Sequence, residues 1–248
     1  GADIIVASPT DITEVEKMAF FDLAASSVAK PKKVRVIEKP IADAIGAGLD
    51  VMNASGVMVV DIGADTTEIS VMSLGGIVLS KLIPVGGNKF DENIISNVRK
   101  KYNLVIGSKT AETIKKRLAY ATAPEHETIK VFGRDVMNGL PTEAEIDSEF
   151  VYDTINESLY SIVDAVRIIL EKTPPEISSD IIDSGIYVTG GSANIKNLDK
   201  LFAKETELPI KICEDPANTV VNGLGKVLEN NSKYGCLAFS LKQTYYGG

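Results

Sequence analysis

Two cysteines, one histidine and no long hydrophobic run mark what this chain of 248 residues lacks. Cys213 and Cys236 are too few for a disulfide framework. With a lone histidine they make no zinc-type ligand set, so a reduced, cytoplasmic setting is expected. His126, inside the polar stretch Pro124-Glu125-His126-Glu127, reads as an exposed loop residue. Basic charge is also short. Twenty-six Lys and Arg face 34 Asp and Glu, for a net charge of −8, so nothing points to nucleic acid, whose binders cluster basic charge. No apolar run reaches membrane-spanning length, no signal-peptide pattern is visible, and no solenoid-period repeat occurs. What is there, 44% hydrophobic and 24% charged residues, is ordinary for a globular chain with room for two compact domains. Residue 1 is glycine, and Ile4-Ile5-Val6-Ala7 already reads as a buried strand. The expectation is that sequence upstream is missing.

Along the chain, Thr13 and Glu16 have capping-box spacing and predict a helix from Glu14 to about Val28. A strand, Val34–Ile37, leads to Pro40, which suits the first turn of a helix continued by Ile41, Ala44 and Ile45. Gly46 and Gly48 suggest a close helix contact or a helix end. Ile77–Ile83 reads as a strand, Asp91–Val98 as the start of an amphipathic helix, and Thr110–Tyr120 as another helix. Residues 122–150 are polar, with a strand piece at Thr128–Phe132 and turns at Gly133 and Gly139-Leu140-Pro141. The apolar positions Val151, Ile155, Leu159, Ile162, Val163, Val166, Ile169 and Leu170 fall on one helical face, which reads as core. Pro174-Pro175 end that helix. Strand Gly185–Thr189, a helix over Ile195–Phe202, strand Pro209–Cys213 and a helix from Asp215-Pro216 to about Leu228 follow. Tyr245-Tyr246-Gly247-Gly248 reads as a disordered end.

The most informative stretch is 58–70, Met-Val-Val-Asp-Ile-Gly-Ala-Asp-Thr-Thr-Glu-Ile-Ser. A buried strand ends at Asp61, a turn follows at Gly63, and an alternating strand begins at Thr67. Amide groups exposed in such a turn can face phosphate oxygens, and the Asp61 carboxylate can hold Mg²⁺ directly or through water. The bland reading is a hairpin with an Asp at its turn, which is common.

Four motifs together resemble the MreB family of bacterial actins, within the actin-like ATPase superfamily, over essentially the whole chain. Glu38-Lys39-Pro40-Ile41-Ala42-Asp43-Ala44-Ile45-Gly46 is similar to that family's Glu-Glu-Pro-Met-Ala-Ala-Ala-Ile-Gly. Asp61–Glu68 is similar to its second phosphate loop, Asp-Ile-Gly-Gly-Gly-Thr-Thr-Glu. Glu171-Lys172-Thr173-Pro174-Pro175-Glu176 is a family segment that sugar kinases and DnaK-type chaperones do not share. Thr189-Gly190-Gly191-Ser192 resembles the adenosine loop.

The resemblance implies an α/β, actin-like (ribonuclease H-like) fold of two α/β domains around a nucleotide cleft. The N-terminal part of the first domain, with the first phosphate loop, is expected to be missing. Residues 1–48 would be the remainder of the first large subdomain. Residues 49–84 and 163–222 would form the second large subdomain, 85–162 an inserted small subdomain, and 223–248 a C-terminal helix and tail returning to the first domain. ATP or ADP with Mg²⁺ is the implied ligand. Asp61 would hold the metal, and Gly63, Ala64 and Asp65 would meet the β/γ-phosphates through amide groups. Thr66 would lie near the γ-phosphate. Glu112, Lys115 and Lys116 would bracket ribose and adenine. Gly190, Gly191, Ser192 and Ala193 would let backbone approach the adenosine. Without the resemblance, Glu112, Lys115 and Lys116 read as a solvated helix face, and Gly190-Gly191 as a plain strand-to-helix turn.

Two substitutions depart from that pattern. Lys39 stands where the family's water-positioning glutamate lies. An ammonium donates hydrogen bonds but accepts none, so hydrolysis is expected to be weak or absent. Asp65 replaces the third glycine of the phosphate loop, and Lys39 and Asp65 are expected to pair across the γ-phosphate site. Such departures resemble those of divergent MreB paralogues in wall-less, helical swimming bacteria. The implied partners are copies of the same chain in head-to-tail, paired protofilaments, other MreB paralogues and, by analogy, the inner membrane. The rivals are a fully active filament ATPase and, further off, a chaperone or sugar-kinase type ATPase.

Overall fold

The computed structural model describes residues 2–240, so the expected disordered end lies outside the described residues. The chain opens with β1 (Asp3–Ser8), α1 (Glu14–Ala25), β2 (Lys33–Glu38) and α2 (Lys39–Gly46). Next come β3 (Val57–Ile62), β4 (Thr67–Ser73), β5 (Gly76–Ile83), α3 (Gly87–Tyr102), β6 (Leu104–Val105) and α4 (Ser108–Leu118). Then follow β7 (Thr128–Asp135), β8 (Pro141–Asp147), α5 (Ser148–Lys172), α6 (Pro175–Ser184), β9 (Ile186–Thr189) and α7 (Leu198–Thr206). The chain closes with β10 (Ile210–Ile212), α8 (Thr219–Glu229) and α9 (Asn231–Tyr234).

Three sheets result: β1-β2, a five-stranded sheet ordered β10-β9-β3-β4-β5, and β6-β7-β8. In the five-stranded sheet β3 is antiparallel to β4 and parallel to β9. The period-2 geometry of β3 separates its two faces. Met58, Val60 and Ile62 enter one core with Phe90 of α3, Ile114 of α4 and the apolar stripe of α5. Val59 enters a second core with Ile41 and Ile45 of α2 and Val227 of α8. Asp61 continues the Val59 face, so it ends that strand beside α2.

Local chemistry accounts for most element ends. Thr13 and Glu16 form the expected capping box, but α1 stops at Ala25, short of Val28. The Asp147 carboxylate caps α5 by accepting the Phe150 amide (2.7 Å). Helix α3 begins at Gly87, four residues before the expected Asp91, because the Gly87 and Asn88 amides donate to the Gly63 and Ala64 carbonyls (2.9 and 2.7 Å). Pro174-Pro175 end α5, yet Pro175 also opens α6, where a first-turn residue needs no amide hydrogen. Strand β8 also differs from the expected turn. Pro141 sits at its first residue, and polar cross-strand pairs such as Lys130–Glu143 (2.7 Å) replace an apolar pattern. Gly191–Asn194 forms a 3₁₀ turn, so α7 starts later than Ile195. Likewise a turn over Pro216–Asn218 delays α8 to Thr219.

Helices α2 and α8 cross in close backbone contact. A Cβ on Gly46 would run into the Thr219 carbonyl, and one on Gly223 into the Ala42 carbonyl. Gly48, with φ +82, turns the chain out of the helix end. Lys226 Nζ donates to the last carbonyls of α2, those of Ile45 (3.1 Å) and Gly46 (3.0 Å). Replacing Lys226 by Met is therefore expected to lower unfolding stability by about 1–2 kcal/mol. Urea titration checks this, and an unchanged midpoint would remove the capping role. Farther on, Phe239 pairs with Val36 through two backbone hydrogen bonds (2.8 and 2.9 Å).

Candidate functional site

The polar end of the α2-facing side of the central sheet gathers charge. The β3–β4 register sets Asp61 opposite Glu68. Asp61 is 5%, Glu68 2% and Asp43 1% exposed, and buried carboxylates at this depth need partners. Lys39, at the first position of α2, supplies a cation. Its ammonium ion-pairs with Asp61 and lies 3.8 Å from Glu68 Oε2. Burial works against the Lys39 charge, but Asp61 foremost, then Asp43 and Glu68, outweigh it and raise its pKa above the ordinary lysine value. The other Glu68 oxygen is held from the loop after β1, where the Thr10 amide and hydroxyl both donate to it (2.8 and 2.7 Å).

Asp43 has no such support. As a carboxylate, neither of its oxygens accepts a hydrogen bond from the described residues. Burial first, then the neighbouring Asp61 charge, push its pKa well above the ordinary carboxylate range. The pair Lys39–Asp65 is not formed. Asp65 points outward in the turn and accepts from the Asn88 side chain (2.7 Å), while Lys39 faces inward.

Above this floor lies a cavity of about 730 Å³, within the range of small-molecule sites. Three glycine-rich loops shape it. In the β3–β4 turn the Gly63 amide donates to the Thr66 carbonyl (2.9 Å), while the Ala64, Asp65 and Thr66 amides have no protein acceptor among the described residues. Thr66 is half-buried at the end of this turn. Gly190 has φ +87, and a Cβ there would collide with Asp61 and the Ile62 carbonyl, so only glycine fits. Gly191 is unobstructed, Ser192 Oγ donates to the Gly63 carbonyl (3.3 Å), and Ala193 is buried behind the turn. At Gly87 an added Cβ would lie 3.0 Å from Ser192 Oγ and 3.1 Å from Lys115 Nζ, so the side chains of the adjoining turn and helix close on this glycine.

Helix α4 forms the opposite wall. Glu112, Lys115 and Lys116 all line the cavity but do different things. Lys115 reaches inward to Asp91 Oδ2 and the Gly87 carbonyl (both 2.8 Å). Burial raises the Asp91 pKa, and the Lys115 hydrogen bond opposes that rise. Lys116 and Glu112 pair at the exposed rim (2.7 Å). The structure thus brings Lys39, Asp61, Gly63, Ala64, Glu112, Lys115, Lys116, Gly190, Gly191 and Ser192 around one cavity. Asp65 and Thr66 sit at the turn beside it. His126 is exposed and does not line the cavity. Glu38 stays out of the lining.

Three residues of the floor, Asp43, Glu68 and Thr10, had no site role in the sequence reading. Asp43 sits four residues after Lys39 on a helix, a spacing that can be read from sequence. Thr10 could not be found that way, because its partner Glu68 is 58 residues distant.

The donor set fits Mg²⁺ in one respect. Among the described residues no cluster of three or more His, Cys, Asp or Glu is arranged as a metal cage. Mg²⁺ does not need one, since it binds through one or two carboxylates, waters and substrate phosphates. Asp61, on the floor beside the Gly63 turn, is a carboxylate of that kind.

Comparison with known proteins agrees with this geometry. A profile described as "MreB/Mbl protein" matches residues 1–235. The cell shape-determining protein Mbl of Bacillus subtilis (strain 168) is 42% identical over 232 residues, covering 93% of this chain and 69% of that protein. The cell shape-determining protein MreB of Escherichia coli (strain K12) is 42% identical over 238 residues, covering 96% and 68%. The crystal structure of MreB5 of Spiroplasma citri bound to ADP superposes with a TM-score of 0.89 at 37% identity, covering 95% of this chain and 71% of that one. The fold is that of the actin-like ATPases, and the chain belongs to the MreB/Mbl protein family.

Proposed function

We propose that this protein binds an adenine nucleotide with Mg²⁺ in the cavity between α2, α4 and the glycine turns, and assembles head-to-tail into cytoskeletal filaments that act on cell shape. Hydrolysis of the bound nucleotide is lost or strongly slowed. The observation that carries this is Lys39. The residue facing the phosphate end of the cavity is an ammonium paired with Asp61, not a carboxylate able to accept a hydrogen bond from an attacking water. Binding of ADP by the related MreB5 supports the ligand class. The cell-shape role of Mbl and MreB supports the cellular one.

In this reading Asp61 holds Mg²⁺, which when bound neutralises charge on the phosphate oxygens. The Ala64 and Asp65 amides face the phosphates, and Thr66 lies near the terminal one. Lys115 is anchored by Asp91 with its ammonium toward the turns, and Glu112 and Lys116 flank the ribose and adenine. Gly190 and Gly191 let the backbone pass close to the nucleoside. Self-assembly, pairing with other MreB paralogues and contact with an inner-membrane surface are the partners this reading carries. The setting is the cytoplasm.

Sedimentation with ATP and Mg²⁺, read together with phosphate release, tests it. Pelleting in ATP with little phosphate release is expected. Pelleting with fast, sustained release would overturn the lost hydrolysis, and failure to pellet or to bind nucleotide would overturn the filament reading. Lys115→Met is expected to weaken nucleotide binding about tenfold, since it removes one charge-assisted contact. Titration with a fluorescent ADP analogue checks this, and unchanged affinity would take Lys115 out of the site.

A further inference from the structure

We propose that Asp43 is a second berth for the Lys39 ammonium, to which Lys39 transfers when a metal-bound nucleotide claims Asp61. This rests on the nucleotide reading above and goes beyond it, because it assigns a positioning role to a residue with no part in that reading.

The two side chains leave α2 four residues apart and so share a face of the helix. Both line the same cavity as Asp61. Of the three buried carboxylates on the floor, Asp61 has Lys39, and Glu68 has the Thr10 amide and hydroxyl on Oε1, with Oε2 bearing no hydrogen bond and 3.8 Å from the Lys39 ammonium. Asp43 alone is 1% exposed with both oxygens lacking a donor among the described residues. A buried carboxylate left in that condition is rare and costly, and its demand is for a cation or a donor. Among the described residues the cation that acts on it is Lys39, on a flexible four-carbon stem.

A divalent cation arriving at Asp61 cannot share that carboxylate with an ammonium at contact distance, because the two positive charges repel. Lys39 must leave, and it must leave for an acid, since an unpaired ammonium is penalised in a site this enclosed. Asp43 offers that acid one helical turn away. A cation and an anion at these two positions form a matched pair, and Asp43 thereby sets how readily the metal gains Asp61.

The test is the Mg²⁺ concentration for half-maximal binding of a fluorescent ADP analogue by the full-length protein, in wild type, Asp43→Ala, Asp43→Asn, Lys39→Met and Lys39→Met/Asp43→Ala. Asp43→Ala is expected to raise that concentration about tenfold, as befits loss of one charge-assisted contact. Asp43→Asn should match it, which separates charge from packing and serves if the alanine variant folds poorly. In the Lys39→Met background the same Asp43→Ala change is expected to have less than about a threefold effect, as required of two coupled residues. An Asp43→Ala protein with the wild-type Mg²⁺ requirement overturns the proposal. So does an equal effect in both backgrounds, which would mean that Asp43 acts on the metal directly. A wild-type protein that binds no nucleotide at any Mg²⁺ concentration overturns the nucleotide reading and the proposal with it.

Discussion

Phosphate release from a Lys39→Glu/Asp43→Ala variant is expected to exceed that of the wild-type protein about 100-fold, while Lys39→Glu alone is expected to fold poorly. The gain follows from replacing a donor-only ammonium with a carboxylate able to orient and deprotonate water, a contribution of about 10²–10⁴-fold in general base catalysis. The penalty on the single variant follows from the floor of the site. Lys39 faces Asp61, Glu68 and Asp43, all buried, while the other lysines among the described residues that line the cavity, Lys115 and Lys116, pair with Asp91 and Glu112. Exchanging it for glutamate leaves four acids with no cation, and removing one partner of a buried pair costs about 3–5 kcal/mol. Asp43→Ala relieves part of that excess. Denaturant unfolding without nucleotide should rank wild type above the double variant and the double variant above Lys39→Glu. Malachite-green phosphate assays under polymerising conditions then read the gain. A double variant that folds, binds ATP and stays silent would mean that Lys39 is not what stopped the reaction.

Gly223→Ala should lower the thermal midpoint by about 6–12 °C, although it adds a single methyl group to a helix that would ordinarily welcome alanine. The position is fully enclosed, and the new Cβ would meet the Ala42 carbonyl of α2 rather than a side chain. Backbone cannot rotate away as a side chain can, so the usual overpacking cost of about 1–3 kcal/mol is expected at its upper end. Gly225, two residues along α8, has nothing within 4 Å of its Cβ direction and supplies the control. Gly225→Ala should leave the midpoint unchanged or raise it. If both substitutions behaved alike, the close crossing of α2 and α8 would not be the cause. Because α2 carries Lys39 and Asp43, a loosened crossing should also weaken nucleotide binding, which the same samples can report.

Much of this architecture was legible in the residues themselves. The stripe from Val151 to Leu170 is periodic enough to announce α5, and Thr13 with Glu16 announces the start of α1. The turn at Gly63 and the glycine at 190 declare themselves because backbone lies close to backbone there. Other features depend on distant partners. Helix α6 was hidden because a proline that stops one helix is equally suited to open the next. Strand β8 was hidden because its outward residues pair charge with charge instead of alternating with apolar ones. The expected Lys39–Asp65 pair failed because turn direction, which sends Asp65 toward Asn88, is decided by the amides at the start of α3. Asp43 was passed over since nothing local reveals that α2 lays it face down on β3 and β4.

Two of the ion pairs that line the cavity are of opposite character, and dissolved salt will tell them apart. At the rim, the Lys116 and Glu112 side chains are 71% and 47% exposed, so mobile ions weaken their attraction readily. At the floor, Asp61 is nearly sealed and its bond to Lys39 is screened far less. Under the proposed nucleotide reading, rising ionic strength therefore acts on the wall assigned to the nucleoside and spares the acids assigned to the metal. Comparing a mononucleoside with its diphosphate across a potassium chloride series would separate entry at the rim from retention at the floor.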